Sequence, residues 1–305
     1  MRLSPWTALI VSLGMLFPVG SSFGASAEDV SAAAIEAAKD AQSEAIRNPA
    51  DDTALDRFIA TLGLSGHGPN LFIMEGDLPM TRDEIRGYLI NRHLEINQKT
   101  SEIDRSSNEL LVNMVAGKYD FWPVGKRRLT YFFDKLSFPK GTNAEAVKGN
   151  FRKAADEWTA ACPECGVEFV EVEQIEKAEF AVRFQERPDS VVAEAFFPSY
   201  ARERHVLLVY PEYFRTEFNP VGVFRHEIGH ILGYAHEHIQ KALSGCAREN
   251  TRWAQLSDYT PNSVMHYFCG GVGSRELALR DNDKVGHRCL YKTGRPCPKT
   301  LGGNK

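Results

Sequence analysis

Two histidines and a glutamate stand at a spacing that suits metal chemistry. In the stretch 219–238, which reads NPVGVFRHEIGHILGYAHEH, His226 and His230 are four positions apart. On a helix, side chains four apart leave the same face, so both imidazoles come within reach of one metal ion. Glu227 follows the first histidine and can act as a base toward a water molecule on that ion. The pattern therefore predicts a catalytic metal site on one helix.

A third ligand is available just past the predicted end of that helix. Gly233 is placed to end the helix in a left-handed turn, which other residues tolerate poorly. That turn returns the chain so that His236 approaches the same ion. Three neutral imidazoles suit zinc and leave a fourth position for water, which is the open arrangement of a catalytic site. We expect one zinc ion per chain, bound by the three histidines, with Glu227 as the base.

The elements around this motif are those that would hold the ligands in place. Asn219 can cap the helix and Pro220 fits its first turn. A stripe of apolar residues at spacings of three and four predicts that the helix is buried on one side. Strands rich in β-branched and aromatic residues are predicted at 127–133, 166–173, 178–184, 193–197 and 205–210. A capping box at Thr142 and Glu145 predicts a helix after the first of these strands.

The region before these strands is predicted to be mostly helical. Helices are expected at 28–47 and 51–62, and Thr81 with Glu84 forms a capping box for a third helix. The following stretch to about Gly117 is polar and looks like a connection. We therefore expect this region to have little from which to build a core of its own. A last helix is predicted near residues 281–291.

Composition narrows the class of protein. The chain has 305 residues, 43% of them hydrophobic, and a formal net charge of −4. This balance excludes disorder over most of the length, and it provides no basic excess to bind a nucleic-acid backbone. No apolar run reaches the roughly 18 residues of a membrane span. The sequence carries no signal of a particular oligomeric state.

The first 27 residues have the pattern of a signal peptide. Arg2 supplies a positive start, residues 7–19 are apolar, and Ala25-Ser26-Ala27 is a small-x-small cleavage site. We therefore expect cleavage after Ala27 and a secreted or periplasmic protein.

Six cysteines lie beyond that site, and an even number in an exported chain predicts disulfides. A redox dithiol at Cys162 and Cys165 is less favoured, because the pair follows a predicted helix rather than opening one. On loop closure alone we predict pairing of neighbours: Cys162 with Cys165, Cys246 with Cys269, and Cys289 with Cys297.

The motif resembles that of a known group of zinc endopeptidases. H-E-x-x-H-x-x-G-x-x-H followed by a methionine turn, here SVMHY at residues 263–267, is similar to the metzincins. Glu237 directly after the third histidine, and the SVMHY turn itself, resemble the astacin branch. The resemblance covers residues 119–291. It implies an α+β metzincin fold with a twisted, mostly parallel mixed sheet and two helices in an N-terminal subdomain. An irregular C-terminal subdomain with a final helix would follow, with a cleft between the two.

The resemblance also implies roles for single residues. Met265 would form an apolar floor beneath the zinc, and Tyr267 would stabilise the transition state as a switchable ligand. Glu237 would hold the buried amino terminus of the mature enzyme. From residue type alone, Met265 is equally well explained as plain core and Tyr267 as a structural hydrogen-bonding residue. His238 and His266 are expected at the surface or in support of the ligands, because three histidines complete the ligand count.

A short motif upstream resembles an inhibitory segment. The letters MEGD at residues 74–77 are similar to the F-x-G-D motif of astacin pro-segments, in which the aspartate occupies the water position of the zinc. The resemblance makes Asp77 the candidate inhibitory ligand, with Glu75 second. The alternative is a plain turn that leads to the helix at Thr81. We divide the chain into a signal peptide (1–27), a pro-segment (28–117) and a metalloprotease domain (118–305).

Together these observations predict a secreted zinc endopeptidase that is made as a zymogen and acts on protein or peptide substrates. Glu227 and Tyr267 are its predicted catalytic residues. The strand at 193–197 is the predicted cleft edge, to which an extended peptide would add. One alternative is a non-catalytic zinc-containing binding protein with the same fold, although such a protein has no need of Glu227. Another is a permanent interaction domain at residues 28–117.

Overall fold

The structure is a computed structural model that describes residues 27–74, 77–97, 110–115, 117–187, 191–237, 253–256, 260–266 and 272–297. The predictions for the signal peptide up to residue 26, Glu75, His238, Tyr267 and the Cys246–Cys269 pair lie outside these residues. The chain forms two compact units, Met1–Asp40 and Ala41–Lys305. Helix α1 (Ala27–Arg47) is all that is described of the first unit and continues into the second. The features below belong to the second unit.

The remaining helices are α2 (Asp52–Ile59), α3 (Arg82–Asn97), α4 (Ala144–Ala161), α5 (Pro220–Ile231) and α6 (Asp281–Thr293). The strands before α5 are β1 (Leu71–Met74), β2 (Leu78–Thr81), β3 (Leu111–Val115), β4 (Lys118–Tyr119), β5 (Arg128–Phe133), β6 (Glu168–Glu171), β7 (Phe180–Phe184), β8 (Ala193–Glu194) and β9 (Val206–Val209). Two strands follow α5, β10 (Tyr234–Ala235) and β11 (Trp253–Gln255). No helix among the described residues is long and apolar enough to cross a membrane.

A five-stranded sheet in the order β6-β5-β7-β9-β8 forms the largest layer. Its first four strands are parallel, and β8 pairs antiparallel with β9 at the edge. The two helices α4 and α5 pack with it through aromatic side chains, and Phe151 of α4 contacts Tyr131, Phe180 and Phe224. The predicted α+β fold, with a mostly parallel mixed sheet, two helices and a final helix, is confirmed. The strand predicted at 193–197 is shorter, because its pairing ends at Glu194.

Helix α4 begins with a different cap from the one predicted. Asn143 is the N-cap, and its side chain accepts a hydrogen bond from the amide of Ala146 at 3.0 Å. The hydroxyl of Thr142 donates to the carbonyl of Pro139 at 2.7 Å, and Glu145 forms an ion pair with a lysine. The capping-box prediction was wrong because asparagine caps a helix as well as threonine does and stands one residue later.

Helix α5 has the predicted boundaries. Asn219 accepts hydrogen bonds from two amides of the first turn at 2.9 and 3.0 Å, and Pro220 opens the helix. Past its end, Gly233 has φ +98°, which confirms the left-handed turn. A Cβ at this position would overlap the carbonyl oxygen of Asp120. A glycine is therefore required here both for its backbone conformation and for the space it leaves.

Strand β3 is the centre of a second sheet that the sequence analysis did not predict. It pairs antiparallel with β10 on one side and with β11 on the other, and β4 pairs with its end. Leu110, Leu111 and Val112 are buried. The stretch up to Gly117 was interpreted as a polar connection. This interpretation was wrong for residues 110–115, because a short apolar run there follows the polar residues and forms a strand.

The N-terminal region has a core of its own. Strands β1 and β2 form an antiparallel hairpin, and the helices around it share a set of buried apolar residues that includes Leu55, Phe58, Ile85 and Leu89. The capping box of α3 is formed as predicted, because the amide of Thr81 donates to Glu84 at 2.7 Å and the amide of Glu84 donates back at 3.2 Å. The expectation that this region has little from which to build a core was wrong. Each short element contributes a few apolar residues, and together they form one buried cluster.

Two of the predicted disulfides are formed. Cys162 is bonded to Cys165 directly after α4, and Cys289 of α6 is bonded to Cys297. Both bridges close short loops, as the pairing of neighbours predicts.

Candidate active site

Three histidine side chains converge beside α5. His226 and His230 lie one turn apart on α5, and His236 follows β10. The Nε2 atom of His236 lies 3.0 Å from Nε2 of His226 and 3.1 Å from Nε2 of His230. All three side chains are buried. The structure therefore brings together the three residues that the sequence predicts as ligands.

The second ring nitrogen of the two histidines on α5 is held by a backbone carbonyl. His226 Nδ1 lies 2.8 Å from the carbonyl oxygen of Val264, and His230 Nδ1 lies 2.8 Å from that of Tyr234. A proton on each Nδ1 leaves the Nε2 lone pairs directed at the centre of the site, as outer contacts do for metal-binding imidazoles. Burial lowers the pKa of His230 to about 4, so this ring is neutral, as a ligand must be.

A carboxylate from the N-terminal region completes this group. The Oδ2 atom of Asp77 lies 3.2 Å from Nε2 of His226 and 3.1 Å from Nε2 of His236, and its Oδ1 lies 3.5 Å from Nε2 of His230. Burial by itself raises the pKa of Asp77, but the interaction of its carboxylate with the rings of His236, His230 and His226 outweighs this effect. The pKa of Asp77 is therefore held well below its usual range.

The donor set of this group fits a zinc ion. One ligand atom from each of the four side chains lies within 4.8 Å of all the others, and all four residues are buried. Three imidazole nitrogens and one carboxylate oxygen match the number and the kind of donors that zinc takes. Among the described residues, no other group of three or more histidine, cysteine and acidic side chains has its possible ligand atoms so close together.

Glu227 directly follows His226 on α5, and one oxygen of its carboxylate is unsatisfied among the described residues. Its side chain is buried, and its Oε2 atom has no hydrogen-bond partner among the described residues. Burial raises the pKa of Glu227 well above its usual range, and the charge of Asp77 raises it further. A buried carboxylate oxygen without a partner is costly, so its presence next to the histidines indicates a site that a reacting molecule completes.

The methionine turn packs under α5. Met265 is buried, and a Cβ added at Gly229 would overlap its sulfur, so the helix and the turn are in direct contact. The hydroxyl of Ser263 donates to Asp283 of α6 at 2.6 Å, and the amide of Val264 donates to the same carboxylate at 3.2 Å. Burial raises the pKa of Asp283 to about 6. The last helix thus fixes the turn whose Val264 carbonyl orients a ligand.

Glu237 is also buried, one residue past the third histidine. Its amide donates to the carbonyl of Met265 at 2.9 Å, and its Oε1 accepts a hydrogen bond from the amide of Thr260 at 2.9 Å. Its Oε2 has no hydrogen-bond partner among the described residues. Burial, followed by the charge of Asp283, raises the pKa of Glu237 to about 8. His266 is buried in the same turn but does not belong to the group of four ligands.

A network of charged residues holds the N-terminal region against the site. Glu194 of β8 is fully buried and accepts hydrogen bonds from Ser65 at 2.6 Å, Tyr210 at 2.7 Å and Arg187 at 2.9 Å. Burial raises the pKa of Glu194 above its usual range. The guanidinium of Arg187 also donates to the carbonyl of Leu64.

A second contact of this kind involves Arg204, which follows the segment after β8. Its guanidinium donates to the carbonyl of Pro79 and, at 3.0 Å, to the carboxylate of Glu84. Sequence analysis missed Glu194, Arg187, Arg204 and Asp283. These residues carry no motif of their own, and their partners lie between 7 and 129 positions away along the chain.

The chain is similar to known proteins by a family match and by two structural alignments. The family model Peptidase_M10, described as matrixin, matches residues 121–292. A solved structure of myroilysin aligns with a TM-score of 0.41 and 19% identity, over 59% of this chain and 98% of that chain. A crystal structure of myroilysin aligns with a TM-score of 0.38 and 17% identity, over 56% of this chain and 86% of that chain. No curated protein sequence matches the chain.

Proposed function

The chain belongs to the matrixin family of metallopeptidases, and on that premise we propose that it is an exported zinc endopeptidase made as an inactive precursor. The family implies zinc and a peptide substrate. The observation that carries the proposal is the buried group of His226, His230 and His236 with Asp77 in their midst. The group contains three imidazole donors. The fourth donor is the carboxylate of Asp77, which lies outside the residues that the family model matches.

We propose that the three histidines hold zinc and that Glu227 is the general base. Zinc, when bound, supplies a Lewis acid that polarises the scissile carbonyl and acidifies water. Glu227 Oε2 is buried and has no hydrogen-bond partner among the described residues, and it would accept the proton of the attacking water and pass it to the leaving amine. Departure of Asp77 would remove a negative charge that, after burial, is the next cause of the raised pKa of Glu227.

The supporting roles follow from contacts and from the resemblance to astacins. Met265 would support the ligand helix from below, since it packs against Gly229. Gly233 would place His236 by its left-handed turn. Tyr267, two residues past Met265, is proposed as the donor that stabilises the charge developing on the scissile carbonyl oxygen. Glu237, whose Oε2 has no hydrogen-bond partner in the described part of the chain, would accept the new amino terminus.

We propose that residues following the signal peptide (1–27) form an inhibitory segment that acts through Asp77. A carboxylate brings negative charge and oxygen to a position that water needs, and the covalent connection makes its binding intramolecular. This arrangement and Glu237 are the features that support an astacin-like subtype within the metzincins. The sequence analysis placed the segment at 28–117 and the protease at 118–305. Because β3 lies between β10 and β11, we now propose that the boundary precedes Leu110.

The proposal is tested with the full-length chain purified with its metal. Limited proteolysis should release activity on casein, the zinc content should be one per chain, and mass spectrometry should place the new amino terminus before Leu110. Glu227→Gln should retain zinc and lose roughly 10² to 10⁴ in turnover, because an amide cannot take the proton. Glu176→Gln, at an exposed turn, is the matched control and should behave as the parent. More than half of the parent activity in Glu227→Gln would exclude this residue as the base.

A further inference from the structure

A histidine of the inhibitory segment is buried where the segment contacts the protease. The side chain of His67 is 1% exposed, and neither of its ring nitrogens has a hydrogen-bond partner among the described residues. Its Nε2 atom lies 3.8 Å from Oε2 of the buried Glu194, which is beyond hydrogen-bond distance. Burial of a polar ring without a partner costs free energy, so this histidine weakens the contact to which it belongs.

The residues before His67 fit closely among side chains of the protease. The hydroxyl of Ser65 donates to Glu194 at 2.6 Å, and its oxygen accepts a hydrogen bond from the amide of His67 at 3.1 Å. A Cβ added at Gly66 would lie 2.5 Å from the hydroxyl oxygen of Tyr210. Departure of the segment would therefore take His67 out of these surroundings and expose its ring to water.

The charged groups that surround His67 are already paired without it. Glu194 of β8 accepts a hydrogen bond from Arg187, which follows β7, at 2.9 Å. Arg204 donates to the carboxylate of Glu84 of α3 at 3.0 Å. Each of these carboxylates therefore has one guanidinium as its partner. A proton on His67 would add a third positive charge with no anion of its own, and a buried charge that is left uncompensated is strongly unfavourable.

The same surroundings set the pKa of the ring. Burial, followed by the positive charge of Arg204, lowers the pKa of His67 from 6.5 to about 3, against an opposing effect of the Arg204 backbone. Burial also raises the pKa of Tyr210, so its hydroxyl stays neutral near neutral pH. The closed contact therefore holds the neutral ring. The stability that this ring contributes is complete above pH 6.5 and is lost as the pH falls below that value.

We propose that His67 makes the inhibition acid-sensitive: a proton on this ring weakens the contact of residues 65–67 with the protease, and Asp77 then leaves the three histidines. This inference rests on the proposed function and adds its regulation. Between pH 7.5 and pH 5.5, the equilibrium between the closed and open forms should shift about tenfold toward the open form, because the equilibrium changes about tenfold for each pH unit below the pKa of the exposed ring.

Other acidic groups near the contact also respond to pH, so the test compares variants at the same pH. Burial raises the pKa of Glu194, so a proton on this carboxylate would favour the closed form. The interaction with the histidine rings lowers the pKa of Asp77, so a proton there would favour the open form. Both carboxylates are retained in His67→Gln. The difference between the parent and this variant therefore isolates the charge on His67.

The test uses the full-length chain purified with its metal, and enzyme released from it by limited proteolysis, at pH 7.5 and 5.5. The activity of the uncleaved chain is divided by that of the processed enzyme at the same pH, which removes the pH dependence of catalysis. This ratio should rise about tenfold at pH 5.5 in the parent and change less than about twofold in His67→Gln. His93→Gln, at a half-buried histidine of α3, is the matched control and should follow the parent.

A second measurement does not depend on turnover. Hydrogen exchange of residues 64–68, with exposure times scaled for the intrinsic effect of pH, reports how often the contact opens. Protection should fall about tenfold at pH 5.5 in the parent and persist in His67→Gln. If glutamine loosens the contact at both pH values, His67→Phe supplies a neutral ring without polar atoms and should keep both the latency and the protection at pH 5.5.

The outcomes separate the acid response from the proposed function. An equal response of the parent and the two His67 variants to acid would overturn the role of His67 and leave the endopeptidase assignment standing. The same follows if the latency and protection of the parent do not change between pH 7.5 and 5.5. Loss of protection at pH 5.5 only in chains that keep His67, without cleavage of any peptide at either pH, would support the acid-sensitive contact and overturn the proposed function.

Discussion

The protonation state of the buried polar residues of the site follows from the groups that contact them. The carbonyls of Val264 and Tyr234 keep protons on the Nδ1 atoms of two histidines, so the Nε2 lone pairs are directed at the centre of the site. Asp77 faces those Nε2 atoms as a carboxylate, because its interaction with the rings lowers its pKa against the effect of burial. In the proposed mechanism, the contacts of each side chain, rather than its residue type, therefore separate the metal ligands from the inhibitory carboxylate and from the base.

Replacement of one ligand should remove the metal. His230→Ala deletes one of three nitrogen donors, and the remaining two cannot hold zinc in a closed tetrahedral set. We expect loss of most zinc by elemental analysis and loss of all activity after processing. His93→Ala, at a half-buried histidine of α3 outside the group, is the control and should keep its metal. An unchanged zinc content in His230→Ala would contradict the ligand assignment.

The tyrosine after the methionine turn should affect only the rate. Tyr267→Phe removes a hydroxyl, and loss of a donor to a developing oxyanion costs roughly 2.7 to 4 kcal/mol in the barrier. We expect turnover to fall while zinc content and thermal stability stay the same. Tyr119→Phe, at a half-buried tyrosine of β4, serves as the control. If the turnover of Tyr267→Phe equals that of the parent, the role inferred from the astacin resemblance does not apply.

At the scale of elements, the site depends on a small number of tight junctions. Helix α5 presents two ligands, the turn at Gly233 delivers the third, and β3 fixes the strand that leads to it. The methionine turn supports the helix and is itself tied to α6 through Asp283. The turn at Gly233 brings backbone close to backbone, whereas the side chains of Met265 and Asp283 make the contacts at the methionine turn.

Replacement of the glycine at the helix end should destabilise the whole protein. Gly233→Ala places a methyl group against the Asp120 carbonyl at φ +98°, so both strain and overlap oppose it. Strain at such a position costs of order 1 to 3 kcal/mol, and the overlap adds to it. Thermal unfolding should show a lower Tm together with reduced zinc content. Gly149→Ala, exposed in the middle of α4 with nothing near its Cβ, should instead stabilise slightly. Equal Tm values for Gly233→Ala and the parent would contradict this account.

At the scale of the whole molecule, we propose that the chain combines a protease with a segment that inhibits it. The N-terminal region has its own core, and two charged networks, around Glu194 and around Arg204, hold it where Asp77 reaches the ligands. A covalently attached inhibitor acts at a high effective concentration, so weak intrinsic affinity is enough to keep the site filled. Cleavage of the connection turns this into a dissociable contact.

Removal of the inhibitory carboxylate should therefore raise the activity of the uncleaved chain. Asp77→Ala deletes the group that occupies the fourth position, while the rest of the region stays folded around its own core. Activity on a small peptide should rise well above that of the uncleaved parent, whereas Asp83→Ala, exposed at the start of α3, should have no effect. Glu75→Ala should raise activity less. An uncleaved parent that already matches the processed enzyme would exclude Asp77 as the inhibitory ligand.

The local sequence by itself determined the elements of the site whose signals lie within a few residues. The spacing of the histidines, Asn219, Gly233 and the methionine turn indicated the helix, its cap, its end and the ligands, because helix geometry relates positions three and four apart. The same is true of the alternating and apolar runs that predicted the strands of the main sheet, and of the capping box at Thr81 and Glu84.

Only the tertiary structure decided the contacts between distant segments. Asp77 meets His226 and His236, which lie 149 and 159 positions away, and Ser65 meets Glu194 at a separation of 129. Strand β3 pairs with β10 and β11, which lie more than 100 residues later. No local preference specifies such pairs. They form because burial of apolar side chains brings the segments together, and each buried polar group then takes whichever partner lies within reach.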